Sequence, residues 1–392
     1  MVGRSSTVGT GGAESSRPPQ RKVKTVNENL RKAAELGQGI WIDSISRDDL
    51  IEGGALHKMI EDGVVGVTSN PSIFEKAISE SELYDDQLEE VSGETDDPKE
   101  IFLELARKDI QDACDILAPV HERTAGKDGY VSLEVSPDLA YDAPKTVEEA
   151  MRLHALVDRP NLLVKIPATQ PGLAAIEEVI ANGKSVNVTL IFSLARYKAV
   201  ARAYIRGLQR LVAGGGDPST VASVASFFVS RVDTEADNRL DEVGRPDLKG
   251  RLAIANAKLA YAAFEETFSG DDWNFLESKG ASKQRPLWAS TSTKNPEYPD
   301  TIYVDNLVGP DTVNTMPAST LEDTMDHGDI RPTLKEGLDD AKRLPGILAE
   351  AGVDYNDVTE TLEEEGVQKF IDSFDELLDG IREKTRRLVG QT

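Results

Sequence analysis

Eight short apolar runs, separated by amphipathic stretches, constrain this chain more than any other feature. They are Ile40-Trp41-Ile42, Val64 to Val67, Tyr130 to Val135, Leu162 to Ile166, Val186 to Phe192, Val221 to Val229, Leu287 to Ala289 and Ile302 to Val304. Each is continuously apolar or β-branched, the pattern of strands buried on both faces. Between them, residues 98 to 118 repeat apolar positions at Ile101, Leu105 and Ile110, and residues 171 to 182 open on Pro171 and stop near Gly183. Those are helix start and stop signals. Further helices are expected over 194 to 212 and 248 to 268, and two or more over 331 to 389. Strand and helix in alternation give a parallel sheet, and eight strands give a closed (β/α)8 TIM barrel with additional helices. An open doubly wound sheet is the alternative. No repeat of fixed period is visible, and Gly214-Gly215-Gly216-Asp217-Pro218 reads as a turn. Residues 1 to 24 are rich in Gly, Ser, Pro and Arg and lack any apolar period. They read as a disordered tail, with a transit peptide as the lesser alternative, leaving residues 25 to 392 as one barrel domain.

The polar residues fall at the ends of these runs. Asp43 follows the first, Thr68-Ser69-Asn70-Pro71 the second, Glu134 sits late in the third and Lys165 in the fourth. Asn187 and Thr189 lie in the fifth, Ser226 in the sixth with Arg231 just after it, and Ser290 to Pro296 follows the seventh. In a parallel barrel the C-terminal strand ends meet at one mouth, where active sites form. Lys165 lies in Leu-Leu-Val-Lys-Ile-Pro. A lysine in a buried strand is rare unless paired or functional, and desolvation favours the neutral amine that imine formation needs. Its bland reading is a core ion pair with Glu134 or Asp43. Those two acids are candidates for proton transfer, or else cap helices or bridge strand ends. Asn70 and Asn187 suit sugar hydroxyls, but Asn70 before Pro71 is also a turn signal. Thr189 and Ser226 are equally explained by strand propensity. Arg231 suits a phosphate or a salt bridge to Asp233 or Glu235.

Composition narrows the partners. The 69 Asp and Glu outnumber the 44 Lys and Arg, for a net charge of -25. This disfavours nucleic acid, whose binding needs a basic surface. The acidity suits solubility or a high-salt setting, and the sequence leaves both open. A phosphorylated substrate would require local Arg or Lys to reverse this field. No run of 18 apolar residues suggests a membrane span. With one cysteine, Cys114, and four histidines lacking ligand spacing, neither a disulfide nor a metal cluster is expected. These features suit a cytoplasmic protein. No phosphate-binding or dinucleotide glycine motif is present.

Several of the strand-end strings resemble the transaldolase family. They are Gly66-Val67-Thr68-Ser69-Asn70-Pro71-Ser72-Ile73-Phe74, Val164-Lys165-Ile166-Pro167-Ala168-Thr169 and Val186-Asn187-Val188-Thr189-Leu190-Ile191-Phe192-Ser193. Ala289 to Pro296 and Tyr303 to Pro317 are similar as well. The resemblance runs from about residue 25 onward and is nearest to the longer bacterial form. It implies that Lys165 forms the Schiff base and that Asp43 handles the C4 hydroxyl proton. It also implies that Glu134 works through a water positioned by Thr189. Asn70 and Asn187, with Thr68 beside them, would hold a dihydroxyacetone unit. Ser226 and Arg231 would take substrate hydroxyl and phosphate, with the Phe228 ring near the Schiff base. Ser290 carries over from the seventh strand. Shorter members use a second arginine near that strand, and here Lys294 is the candidate second cation.

The reaction so implied is that of the pentose phosphate pathway, without cofactor or metal. A dihydroxyacetone unit passes between sedoheptulose 7-phosphate and glyceraldehyde 3-phosphate on one side and erythrose 4-phosphate and fructose 6-phosphate on the other. Two rivals are an aldolase that releases free dihydroxyacetone and an inert sugar-phosphate-binding barrel.

Overall fold

The structure is a computed structural model that describes residues 1–3 and 26–389. Apart from its first three residues, the expected tail lies outside the described residues. Helix α1 (Glu28–Glu35) precedes strand β1 (Gln38–Asp43). Helices α2 (Arg47–Leu50) and α3 (Ala55–Asp62) lead to β2 (Gly66–Thr68). Helices α4 (Pro71–Glu80), α5 (Asp85–Ser92) and α6 (Pro98–Arg123) lead to β3 (Tyr130–Glu134). Then follow α7 (Ala143–Val157), β4 (Leu162–Pro167), α8 (Gln170–Ala181), β5 (Val186–Ile191), α9 (Leu194–Ala213) and β6 (Ser223–Phe228). Helices α10 (Ser230–Glu242), α11 (Leu252–Thr267) and α12 (Asp271–Glu277) precede β7 (Arg285–Ala289), and α13 (Ile302–Asn306) precedes β8 (Thr312–Met316). Helices α14 (Ala318–His327), α15 (Leu338–Glu350) and α16 (Tyr355–Val389) come last.

The eight strands close in sequence order, β8 pairing with β1, and every pairing is parallel. This is the expected TIM barrel rather than an open sheet. Seven strands fall on their apolar runs, but the eighth does not. Ile302 to Val304 belongs to the one-turn helix α13, and β8 lies ten residues further on. A three-residue apolar run does not distinguish a strand from a buried turn of helix. The true strand was hidden because it carries polar side chains into the interior, where they bond residues remote in sequence, although the Asn314 amide nitrogen has no partner among the described residues. Asn314 accepts from the Thr291 hydroxyl at 2.8 Å, and the Thr312 hydroxyl accepts from Gln38 at 3.0 Å.

The end of the barrel where the strands begin is plugged. Arg285 pairs with Asp128 at 3.0 Å, and Asp128 also accepts from the Trp41 indole at 3.1 Å. Trp41 fills the interior so closely that a Cβ at Gly66 would lie 2.5 Å from its ring, so only glycine fits there. The opposite end is covered by α16. Phe374, Leu377 and Ile381 of this helix are buried, and each such side chain contributes about 1.5–3 kcal/mol. Polar contacts pin the helix along its length. The Tyr355 hydroxyl donates to Asn256 at 2.7 Å, and Arg196 and Glu363 pair at 2.9 Å. Near the other end the buried Lys384 ammonium donates to the Ile78 and Ser81 carbonyls at 2.8 and 2.6 Å and pairs with Asp85 at 2.6 Å. It satisfies the last carbonyls of α4, where a cation also complements the helix dipole. Among the described residues no helix is long and apolar enough to cross a membrane.

Candidate active site

Strand register brings the acid and amine together. Glu134 on β3 stands beside Lys165 on β4, which stands beside Asn187 on β5. Lys165 is 7% exposed. Its Nζ lies 2.8 Å from Glu134 Oε1 and donates to the Ser69 carbonyl at 2.7 Å. The ion pair anticipated as the bland reading therefore exists, but it opens onto a cavity. Burial pushes Glu134 above the usual carboxylate range, with the Lys165 charge opposing it and Asp43 adding to the rise. The second oxygen, Glu134 Oε2, is buried without a partner among the described residues. Beside it, a space of about 20 Å³ is lined by Glu134, Lys165, Thr189 and Leu190 among others. Roughly 10–15 Å³ suffices for one water. Thr189 reaches this space through an irregularity in β5, where the register with β6 shifts between Val188 and Ile191 and Leu190 takes φ 56°. Such bulges re-aim side chains next to sites.

Asp43 ends β1 opposite Thr68 of β2. Burial raises its pKa, and Lys165, the Thr68 hydrogen bond and Arg231 oppose the rise, in that order. The Thr68 hydroxyl gives its one proton to Asp43 Oδ1 at 2.6 Å, so the Thr315 hydroxyl, 2.7 Å away, donates to Thr68 in turn. Thr315 comes from the strand that the apolar pattern misplaced.

A cavity of about 430 Å³ opens above these groups. Of the sequence candidates it is lined by Asp43, Thr68, Asn70, Lys165, Thr189, Ser226, Phe228, Arg231, Ser290 and Lys294. Glu134 faces the small adjoining space instead. Asn187 lies beneath the floor, fully buried; its amide nitrogen donates to the Ser132 hydroxyl at 3.1 Å and its oxygen accepts from Ser226 at 2.6 Å. Asn70 does the turn-type work its sequence suggested and also lines the cavity. Its side-chain oxygen caps α4 by accepting from the Ile73 N–H at 3.0 Å, which leaves its amide nitrogen for a ligand. The Asn70-Pro71 junction is thus a helix start.

Arg231 makes neither salt bridge that its neighbours offered. Asp233 accepts from the Ala253 N–H at 2.7 Å and the Tyr303 hydroxyl at 3.0 Å, while Glu235 pairs with Arg239 at 2.7 Å. The Arg231 guanidinium lies 5.4 Å from the Phe228 ring centroid, and its Nη1 is buried with no hydrogen-bond partner among the described residues. Among the described residues Lys294 bonds only the Ser292 hydroxyl, at 2.8 Å. Ser290, at φ 56°, exchanges a hydrogen bond with Ser230 at 2.9 Å beside them. Arg231 and Lys294 are thus cavity cations without carboxylate partners among the described residues, inside a strongly acidic chain, the reversal that a phosphorylated ligand requires. Sequence reasoning missed Thr315, Lys76 on α4 and Lys369, Phe370 and Ser373 on α16, all of which line the cavity. The last three lie in a Glu-rich helix that reads as a solvated surface.

A family model described as transaldolase/fructose-6-phosphate aldolase matches residues 40–381. The chain belongs to the transaldolase/fructose-6-phosphate aldolase family. Among curated relatives, a transaldolase of Frankia alni is 51% identical over 362 residues, covering 91% of this chain and 98% of the relative. Transaldolases of Saccharopolyspora erythraea and Thermobifida fusca are 51% and 50% identical, covering 92% and 91% of this chain and 98% of each relative. The family match spans all eight strands apart from the first two residues of β1, and it includes the part of α16 that covers the cavity.

Proposed function

We propose that this protein is a transaldolase that transfers a dihydroxyacetone unit from a ketose phosphate to an aldose phosphate through a Schiff base on Lys165. The observation that carries the reading is one buried amine in contact with a carboxylate, on the floor of a cavity that holds a second carboxylate and two cations, Arg231 and Lys294, without carboxylate partners among the described residues. Lys165 passes a proton to Glu134, and the freed amine attacks the C2 carbonyl. The new N–C2 bond gives a carbinolamine, whose hydroxyl leaves as water with a proton from Glu134. Elevation of Glu134 by burial suits it to hold and return that proton better than an ordinary carboxylate. The adjoining space between Glu134 and Thr189 suits the water lost here and regained at the end.

Asp43 then takes the C4 hydroxyl proton. The C3–C4 bond breaks, its electron pair moves into the iminium to form an enamine, and the aldose phosphate departs. Asn70 holds the enamine hydroxyls directly, and Asn187 acts from below by fixing Ser226. The enamine C3 attacks the aldehyde of the second aldose phosphate, and Asp43 returns its proton to the new hydroxyl. Hydrolysis of the imine frees Lys165. Arg231 and Lys294 hold the phosphate of the ketose donor until the aldose leaves, and then that of the incoming acceptor. The covalent chemistry rests on the lysine alone.

Borohydride reduction with fructose 6-phosphate should leave a three-carbon adduct mapped to Lys165, and Lys165→Met should leave none. An adduct persisting in that variant refutes the assignment. An assay with and without acceptor aldose separates transfer from an aldolase reaction, in which dihydroxyacetone appears free at equal rate in both.

A further inference from the structure

Two cations on the cavity wall have no part in this chemistry. Lys76 lies on α4 and Lys369 on α16, and both line the same cavity as Lys165 and Arg231. The two helices are joined by a hydrogen bond between the Ser72 and Ser373 hydroxyls at 3.0 Å. Each lysine stands four residues, about 6 Å of helix, from one of these serines. Lys76 is exposed, and its ammonium forms no hydrogen bond or ion pair among the described residues. Among the described residues the Lys369 ammonium meets only Glu365 of its own helix, at 2.8 Å, where both side chains are about half exposed. Such a surface pair is worth little and leaves the ammonium available.

In a chain with 69 acidic residues, neither ammonium is tied to a carboxylate of another element among the described residues. We propose that Lys76 and Lys369 are rim cations that capture the phosphate of the incoming sugar and steer it through the acidic surroundings towards Arg231. The inference rests on the reading given under Proposed function. It adds α4 and α16 to the substrate-recognition elements, and it makes a sugar without phosphate the wrong ligand for the rim. An acidic protein repels a dianion at long range, and a local basic rim restores attraction where field lines enter the cleft.

The test compares wild type with Lys76→Gln/Lys369→Gln across ionic strength. A control, Lys58→Gln/Lys279→Gln, removes the same charge from residues outside the cavity. At about 0.01 M salt the rim variant should lose roughly tenfold in kcat/KM for fructose 6-phosphate, chiefly through KM, because the screening length there is about 30 Å. The deficit should shrink to about twofold at 0.5 M, where charges are screened within a few ångströms. With unphosphorylated fructose as donor, rim variant and control should match. Equal kinetics for rim variant and control at low salt, or an equal loss on unphosphorylated donor, overturns the proposal. Calorimetric titration with inorganic phosphate tests the rim without turnover: affinity falls in the rim variant and holds in the control, and the reverse overturns it. Failure of the wild type to transfer at all would count against the proposed function, while the phosphate titration would still decide the rim.

Discussion

Thr68 has one hydroxyl proton and gives it to Asp43, so the basicity of Asp43 depends on a neighbouring hydroxyl. Burial already lifts Asp43, and the Thr68 hydrogen bond holds part of that rise back. Asp43 must be ionised to take the C4 proton, so kcat/KM falls as pH drops through its folded pKa. That acid limb should lie above the range of an ordinary aspartate. Thr68→Val removes an interaction that favours the charged form, so the limb should move to higher pH and kcat at neutrality should fall roughly tenfold. A pH–rate profile checks this, and an unmoved limb would show that the bond does not tune the base. Thr315→Val acts one step further out and should give a smaller shift in the same direction.

Helix α16 is as much part of the site as any strand, although its seat depends on residues far from the chemistry. Lys384→Met removes the ammonium that satisfies two carbonyls and Asp85. It should cost about 2–3 kcal/mol in urea denaturation and raise KM, because Phe370 and Lys369 lose their seat. Helix α10 holds a different device. Burial lifts Asp233 to about 7, against hydrogen bonds from Ala253 and Tyr303 that favour its charged form. Its folded pKa is raised, so its contribution is greatest below the ordinary value near 3.8 and is lost as pH rises towards about 7. Asp233→Asn keeps an acceptor for Ala253 without the charge. Wild type should therefore lose roughly 2–4 kcal/mol relative to this variant between pH 4 and 8. Denaturation at both pH values measures the difference.

The same elements separate what was legible in the sequence from what was not. Seven strands were visible because burial on both faces demands apolar runs. Strand β8 was not, because Asn314 and Thr312 bury polar groups whose partners, Thr291 and Gln38, are remote in sequence. Lys165, Asp43 and Arg231 stood out by their strand-end positions. Lys76 and Lys369 carry no such mark, since only the packing of α16 along α4 turns an ordinary surface lysine towards the cavity.

Across the whole molecule, one property pulls in two directions. A net charge of -25 repels itself, and added salt relieves that repulsion. Raising sodium chloride from about 0.01 to 0.5 M should raise Tm by several degrees in a thermal scan while raising KM for the sugar phosphate. A Tm that falls with salt would mean that the many surface ion pairs outweigh the net repulsion. Finally, α16, with its 35 residues, follows every strand of the barrel along the chain. A ribosome therefore completes the eight-stranded wall before it makes the ceiling. A chain truncated before Tyr355 would give Lys165 a wider approach from solvent, because the side of the cavity formed by Lys369, Phe370 and Ser373 would be missing.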